Sequence, residues 1–118
     1  MKHNFRKLKI WTEAMSIVTI TYKMVRDFPD IERFNLTSQM IRCAVSIPSN
    51  IAEGSSKSTD KHFRKYLENS LGSAFEWETQ LNVAAIESYI TKETFEELEN
   101  RIQQLQKMIS GFHGGLDI

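Results

Sequence analysis

Lys57, Lys61, Arg64 and Lys65 crowd into one short stretch of this 118-residue chain, and Lys2, Arg6, Lys7 and Lys9 crowd into another at its beginning. Clustered ammonium and guanidinium groups do one kind of chemistry well, the neutralisation of phosphates, and cations on the first turns of a helix are joined there by free backbone N–H donors. The candidate phosphate contacts are therefore Lys57, Lys61, Arg64 and Lys65, with Arg6 and Lys7. A solubilising surface is the competing reading, because no aromatic residues alternate with these charges as they do on single-strand stacking platforms.

Other chemistries find less support. His3, His62 and His113 fall in three different segments with no His-Glu-x-x-His pair, so no metal site is expected. The single cysteine, Cys43, rules out an intrachain disulfide and lies in an apolar helical row, which predicts a buried core thiol and not a nucleophile. Gly54-Ser55-Ser56-Lys57-Ser58 has the look of a phosphate loop, but the second glycine and the preceding strand of a nucleotide site are missing. Ser38, Gln39, Arg42, Ser46, Ser49 and Glu53 form a dense polar strip on one helix face, which either brackets a ligand or faces solvent or a neighbour. No enzyme activity and no cofactor are expected.

The formal charge is zero, yet residues 1–66 carry 12 Lys and Arg against 6 Asp and Glu, and residues 67–118 carry 3 against 9. An antiparallel fold would let most of this asymmetry cancel in space. With 41% hydrophobic residues and 25% charged, the chain is sized for a single domain over 1–118, with 1–9 as a basic arm and 111–118 as a flexible tail. No stretch reaches the length of a membrane span, and the start Met-Lys-His-Asn-Phe-Arg-Lys lacks the apolar core of a signal peptide, so no membrane association and a cytoplasmic location are expected.

The elements that must carry these groups are helical. Trp11, Ala14, Met15, Val18, Tyr22 and Val25 step by three and four, with Ile10, Ile17, Ile20 and Met24 as a second row, and Pro29 sets the end near Asp27. A second helix starts near Asn35 or Thr37 and runs to Glu53 or beyond; Pro48 deletes the bond to the Ala44 carbonyl, so a kink is expected there, and because the apolar phase persists across it the helix is expected to continue and not to break in two. Gly54 to Ser58 reads as a turn, and Ser58 or Thr59 starts a long third helix whose inner face runs from Phe63 to Ser88. Thr91 caps a fourth helix with the stripe Phe95, Leu98, Ile102, Leu105, Ile109 and Phe112, stopped by Gly111 or Gly114. The expected fold is all-α, an antiparallel up-down-up-down four-helix bundle.

Such a helix needs only one broad apolar stripe inside. The extra rows, Ile17, Ile20 and Met24 on the first helix and Gly72, Phe75, Val83 and Ile86 on the third, therefore predict a subunit interface, unless the N-terminal arm and the chain end cover them.

Three runs carry a resemblance: Phe5-x-x-Leu8-x-Ile10-Trp11 with Ala14; Phe28-Pro29-x-x-Glu32-Arg33-Phe34-x-Leu36-x-x-Gln39; and Ala44-Val45-Ser46-Ile47-Pro48-Ser49-Asn50-Ile51-Ala52-Glu53-Gly54. Together with Phe63-x-x-Tyr66-Leu67 and Gly72-Ser73-Ala74-x-Glu76, they resemble the bacterial four-helix-bundle family related to ribosomal RNA intervening-sequence proteins. The resemblance implies a homopentameric ring. It also suggests RNA or DNA as a partner and, from a retroelement accessory branch of the family, a reverse transcriptase. It implies no catalysis. His62 and Ser56-Lys57 depart from the family pattern but leave the loop basic. The alternative is a protein-interaction scaffold that binds no nucleic acid.

Overall fold

The computed structural model describes residues 3–116. Four helices follow one another: α1 (Lys9–Val25), α2 (Leu36–Ser55), α3 (Asp60–Ile86) and α4 (Lys92–Gly114), with single 3-10 turns at Phe5–Lys7 and Asp30–Glu32. Short connections make neighbours antiparallel, giving a four-helix bundle of 44 × 24 × 19 Å. Packing is most extensive between α2 and α3 and thinnest between α1 and α4.

The starts and stops have local causes. Thr59 and Thr91 cap α3 and α4, each accepting the backbone N–H three residues on, from His62 and Thr94. Asn35 stands at the start of α2 without a side-chain cap bond; Glu32 does that work, its carboxylate accepting the Leu36 N–H at 3.3 Å and the Tyr89 hydroxyl at 2.8 Å. The helix then continues through Pro48 to Ser55, as the uninterrupted apolar phase predicts.

Several expectations need correcting. Gly54 and Ser55 belong to α2 and not to a turn. Gly54 is required there because α3 crosses so close that a Cβ would lie 2.7 Å from the Tyr66 Cβ and 2.8 Å from the Phe63 ring. Ser88 lies outside α3: it adopts a left-handed φ of 63° while Tyr89 N–H reaches the Ala84 carbonyl (2.9 Å) and Ser88 N–H that of Ala85 (3.0 Å), a Schellman ending. Residues 111–114, placed in the expected tail 111–118, are helical, since α4 runs to Gly114 and Gly115 closes it; residues 117 and 118 lie outside the described residues. The arm is a 3-10 turn leading into α1 at Lys9; its Lys2 lies outside the described residues.

The last correction concerns the inner face of α1. The buried residues are Ile10, Ala14, Ile17, Thr21 and Val25, a line midway between the two apolar rows. Ile17 is 1% exposed and belongs to the core, not to a subunit contact. A polar residue on that line hid the stripe: Thr21 is fully buried, donating to the Ile17 carbonyl (2.6 Å) and accepting the Trp77 indole N–H (2.9 Å).

Candidate nucleic-acid interface

One end of the bundle gathers the N-terminus of α1, the C-terminus of α2, the N-terminus of α3 and the C-terminus of α4. The arm is fixed to this end by aromatic contacts. His3 lies edge-on to Phe63 (5.0 Å) and Phe112 (5.9 Å) and 3.8 Å from the Asp60 carboxylate, while Phe5 packs against Trp11 at 5.2 Å. Asn4 Oδ1 accepts the Arg6 N–H at 3.2 Å and shapes the 3-10 turn that carries Arg6 and Lys7.

Of the six predicted phosphate contacts, three share one site. Lys61, Arg64 and Lys65, with His62, Glu68 and His113, line a hollow of about 630 Å³ between the start of α3 and the end of α4. The spacing of Lys61, Arg64 and Lys65 puts them on neighbouring turns of α3. His113 Nε2 meets Glu68 at 2.8 Å, and the Arg64 Nε is buried without a hydrogen-bond partner among the described residues. Lys57 stands apart from the hollow, its ammonium 4.9 Å over the Tyr66 ring. Arg6 stacks on Phe5 at 4.8 Å, and Lys7 lines a different hollow, of about 700 Å³ between α1 and α4, with Lys9, Glu13, Glu97 and Arg101.

The charge asymmetry does not cancel in space. The cations of the first half sit mainly in the arm and after Gly54, two segments that the antiparallel path returns to the same end. The opposite end holds the seven carboxylates Asp27, Asp30, Glu32, Glu87, Glu93, Glu96 and Glu97 against the four cations Lys23, Arg26, Arg33 and Lys92, the last paired to Glu96 at 3.9 Å. A phosphate chain approaching the molecule therefore meets one attractive end.

His62 and His113 line the cationic hollow although the sequence scatters the three histidines. The available signal was topological: a four-helix up-down path brings residue 113 back beside residue 62. Among the described residues no three or more His, Cys, Asp or Glu side chains converge on a metal-sized site, and no helix is long and apolar enough to cross a membrane.

The polar strip of α2 divides. Gln39, Arg42, Cys43, Ser46 and Glu76 line a slot between α2 and α3, whereas Ser49 and Glu53 are exposed. The hydroxyls of Ser46 and Ser73 bond each other, the Cys43 thiol donates to the Ser73 carbonyl at 3.0 Å, and Ser70 donates to the Ile47 carbonyl at 2.9 Å. Burial, with the Glu76 carboxylate nearby, pushes the Cys43 thiol up to about 12, so it is an inert core group. The slot is a helix seam.

The predicted interface residues also divide. Phe75 is 53% and Ile86 77% exposed, and Gly72 and Val83 share their outer face of α3. Ile20 and Met24 are half-buried along a hollow of about 440 Å³ between α1 and α4.

Residues 6–111 match the family described as 23S rRNA-intervening sequence protein. A crystal structure of a protein of unknown function from the S23 ribosomal protein family of Bacteroides thetaiotaomicron superposes with a TM-score of 0.81 at 21% identity, covering 89% of this chain and 95% of that one. At that identity the likeness concerns the fold. No curated protein matches the chain.

Proposed function

The chain belongs to the 23S rRNA-intervening sequence protein family, and on that premise we propose that it is a non-enzymatic nucleic-acid-binding protein that works as a homo-oligomer. Its contacts are to phosphates, made by Lys61, Arg64 and Lys65 in the hollow and by Lys57, Arg6 and Lys7 around it. Sequence preference is weak, because charge without base-reading side chains recognises the backbone alone. The observation that carries the reading is the convergence of cations from the arm, the α2–α3 turn and α3 on one bundle end, while at the other carboxylates outnumber cations. A single copy binds modestly. Copies assembled with their cationic ends together, in the ring of five that the family resemblance implies, multiply that affinity.

Salt dependence tests it. Binding to RNA and to duplex DNA weakens as salt rises, and the triple variant Lys61→Gln, Arg64→Gln, Lys65→Gln flattens the duplex slope by about 0.9 for each phosphate it no longer neutralises. Affinity falls for all sequences alike. The control pair Lys92→Gln and Arg33→Gln, at the opposite end of the bundle, leaves the slope unchanged. Equal weakening in both variants, or in neither, replaces this reading with that of a protein-interaction scaffold.

A further inference from the structure

The chain has three histidines, and the fold brings all of them to the cationic end. His62 and His113 line the hollow beside Lys61, Arg64 and Lys65, while His3 of the arm packs on Phe63 and Phe112, their neighbours in sequence. Imidazole ordinarily titrates between pH 5 and 8, so the charge of this end changes around neutrality.

The two histidines of the hollow differ from the third in their surroundings. His113 Nε2 lies 2.8 Å from Glu68. An ionised carboxylate only accepts, so Nε2 carries the hydrogen and the exchangeable proton belongs on Nδ1. His62 Nδ1 shares a hydrogen bond with the Thr59 hydroxyl at 2.7 Å, a group able to donate to the neutral ring or accept from the charged one, and its Nε2 has no hydrogen bond among the described residues. The charged groups lining the hollow with them are Lys61, Arg64, Lys65 and Glu68 of α3; α1 and α2 add none, and Lys57 of the preceding turn lies over Tyr66 instead. His3 faces the Asp60 carboxylate at 3.8 Å, which balances its charge locally.

Three cations and one carboxylate give the hollow a charge of +2 with both imidazoles neutral and +4 with both protonated. Protonated His113 also holds Glu68, the one carboxylate of the lining, in an ion pair that leaves Arg64 and Lys65 to other anions. A phosphate seated here favours the charged imidazoles, and by reciprocity each proton taken up favours the phosphate. We propose that the hollow binds protons and nucleic-acid phosphates together, with His62 and His113 as a switch that tightens binding as pH falls through neutrality. This rests on the phosphate-binding reading above and names its regulation.

Affinity for duplex DNA, measured against salt at pH 8 and at pH 6, tests it. One further neutralised phosphate steepens the slope by about 0.9, which at about 0.1 M salt makes binding roughly eight-fold tighter at pH 6. The double variant His62→Gln, His113→Gln keeps its helical circular dichroism and its pH 8 affinity and loses most of that gain, whereas His3→Gln retains it. Calorimetry on the unmodified chain, run near pH 7 in two buffers of different ionisation enthalpy, finds protons taken up on binding. Equal affinity and slope at both pH values overturn the switch, as do a double variant with the full gain, a gain that vanishes with His3 alone, or binding without proton uptake. Failure of phosphate binding itself looks different: the unmodified chain then shows no salt slope at either pH.

Discussion

The α2–α3 seam and the α1–α4 seam close the same bundle in opposite ways. Between α2 and α3 the backbones approach until Gly54 alone fits against Phe63 and Tyr66, and side-chain bonds from Ser46, Cys43 and Ser70 cross the gap. Between α1 and α4 the surface falls into hollows of about 700 and 440 Å³, bridged by a half-exposed ion pair, Arg101 to Glu13 at 3.9 Å. A small residue at the crossing point lets side chains interlock; long side chains such as Lys9, Glu97 and Arg101 hold helices apart and leave grooves. Substitutions in the first seam should therefore cost more than those in the second.

The largest effect should come from Gly54→Ala. The new methyl group meets Tyr66 at its Cβ, an atom that moves only with the α3 backbone, so stability falls by about 2–3 kcal/mol in urea denaturation. A drop under about 0.5 kcal/mol would mean that the α2–α3 seam is not tight.

Cys43 sharpens the contrast from the chemical side. Its thiol, pushed up to about 12 by burial and Glu76, reacts with a disulfide reagent at pH 8 at least about 100-fold more slowly than the unfolded chain. Because the folded-state value lies above the ordinary 9.0, the stability tied to the neutral thiol is whole below pH 9 and is lost as pH rises towards 12. Cys43→Ala should remove that alkaline component. Fast labelling at pH 8 in the folded protein would break the comparison.

Thr21→Val tests how α1 is held, since α4 holds it weakly. The change keeps the shape but leaves the Trp77 indole N–H buried without its acceptor, which costs about 1–3 kcal/mol. Ser88→Gly works in the other direction: relieving a left-handed non-glycine residue in the α3 ending raises stability by about 0.5 kcal/mol in the same assay. Smallest of all is Arg101→Gln in the α1–α4 groove, with a change below about 0.5 kcal/mol. A larger drop there would make the open seam as important as the closed one.

Much of this could be read along the chain. Periodicity set four helices, Thr91 and Pro29 set two of their limits, and the apolar phase across Pro48 kept α2 whole. Short-range rules failed where a residue's role depends on what lies across from it. Gly54 looks like punctuation until α3 is placed against it, and Ser88 keeps the helical phase of α3 although the chain has already turned. Thr21 breaks an apolar line unless the distant Trp77 satisfies it.

The candidate site divides along the same line. The sequence by itself determined which residues are cations, that Lys61, Arg64 and Lys65 open a helix with Lys57 in the turn before it, and that α3 carries apolar residues on two faces, because these follow from residue type and helical period. Only the tertiary structure decided that His113 joins Lys61, Arg64 and Lys65, that Ile17 belongs to the core, and that charge is sorted from end to end. Those facts depend on distances between residues far apart in the chain, which the path of the backbone fixes and no local pattern contains.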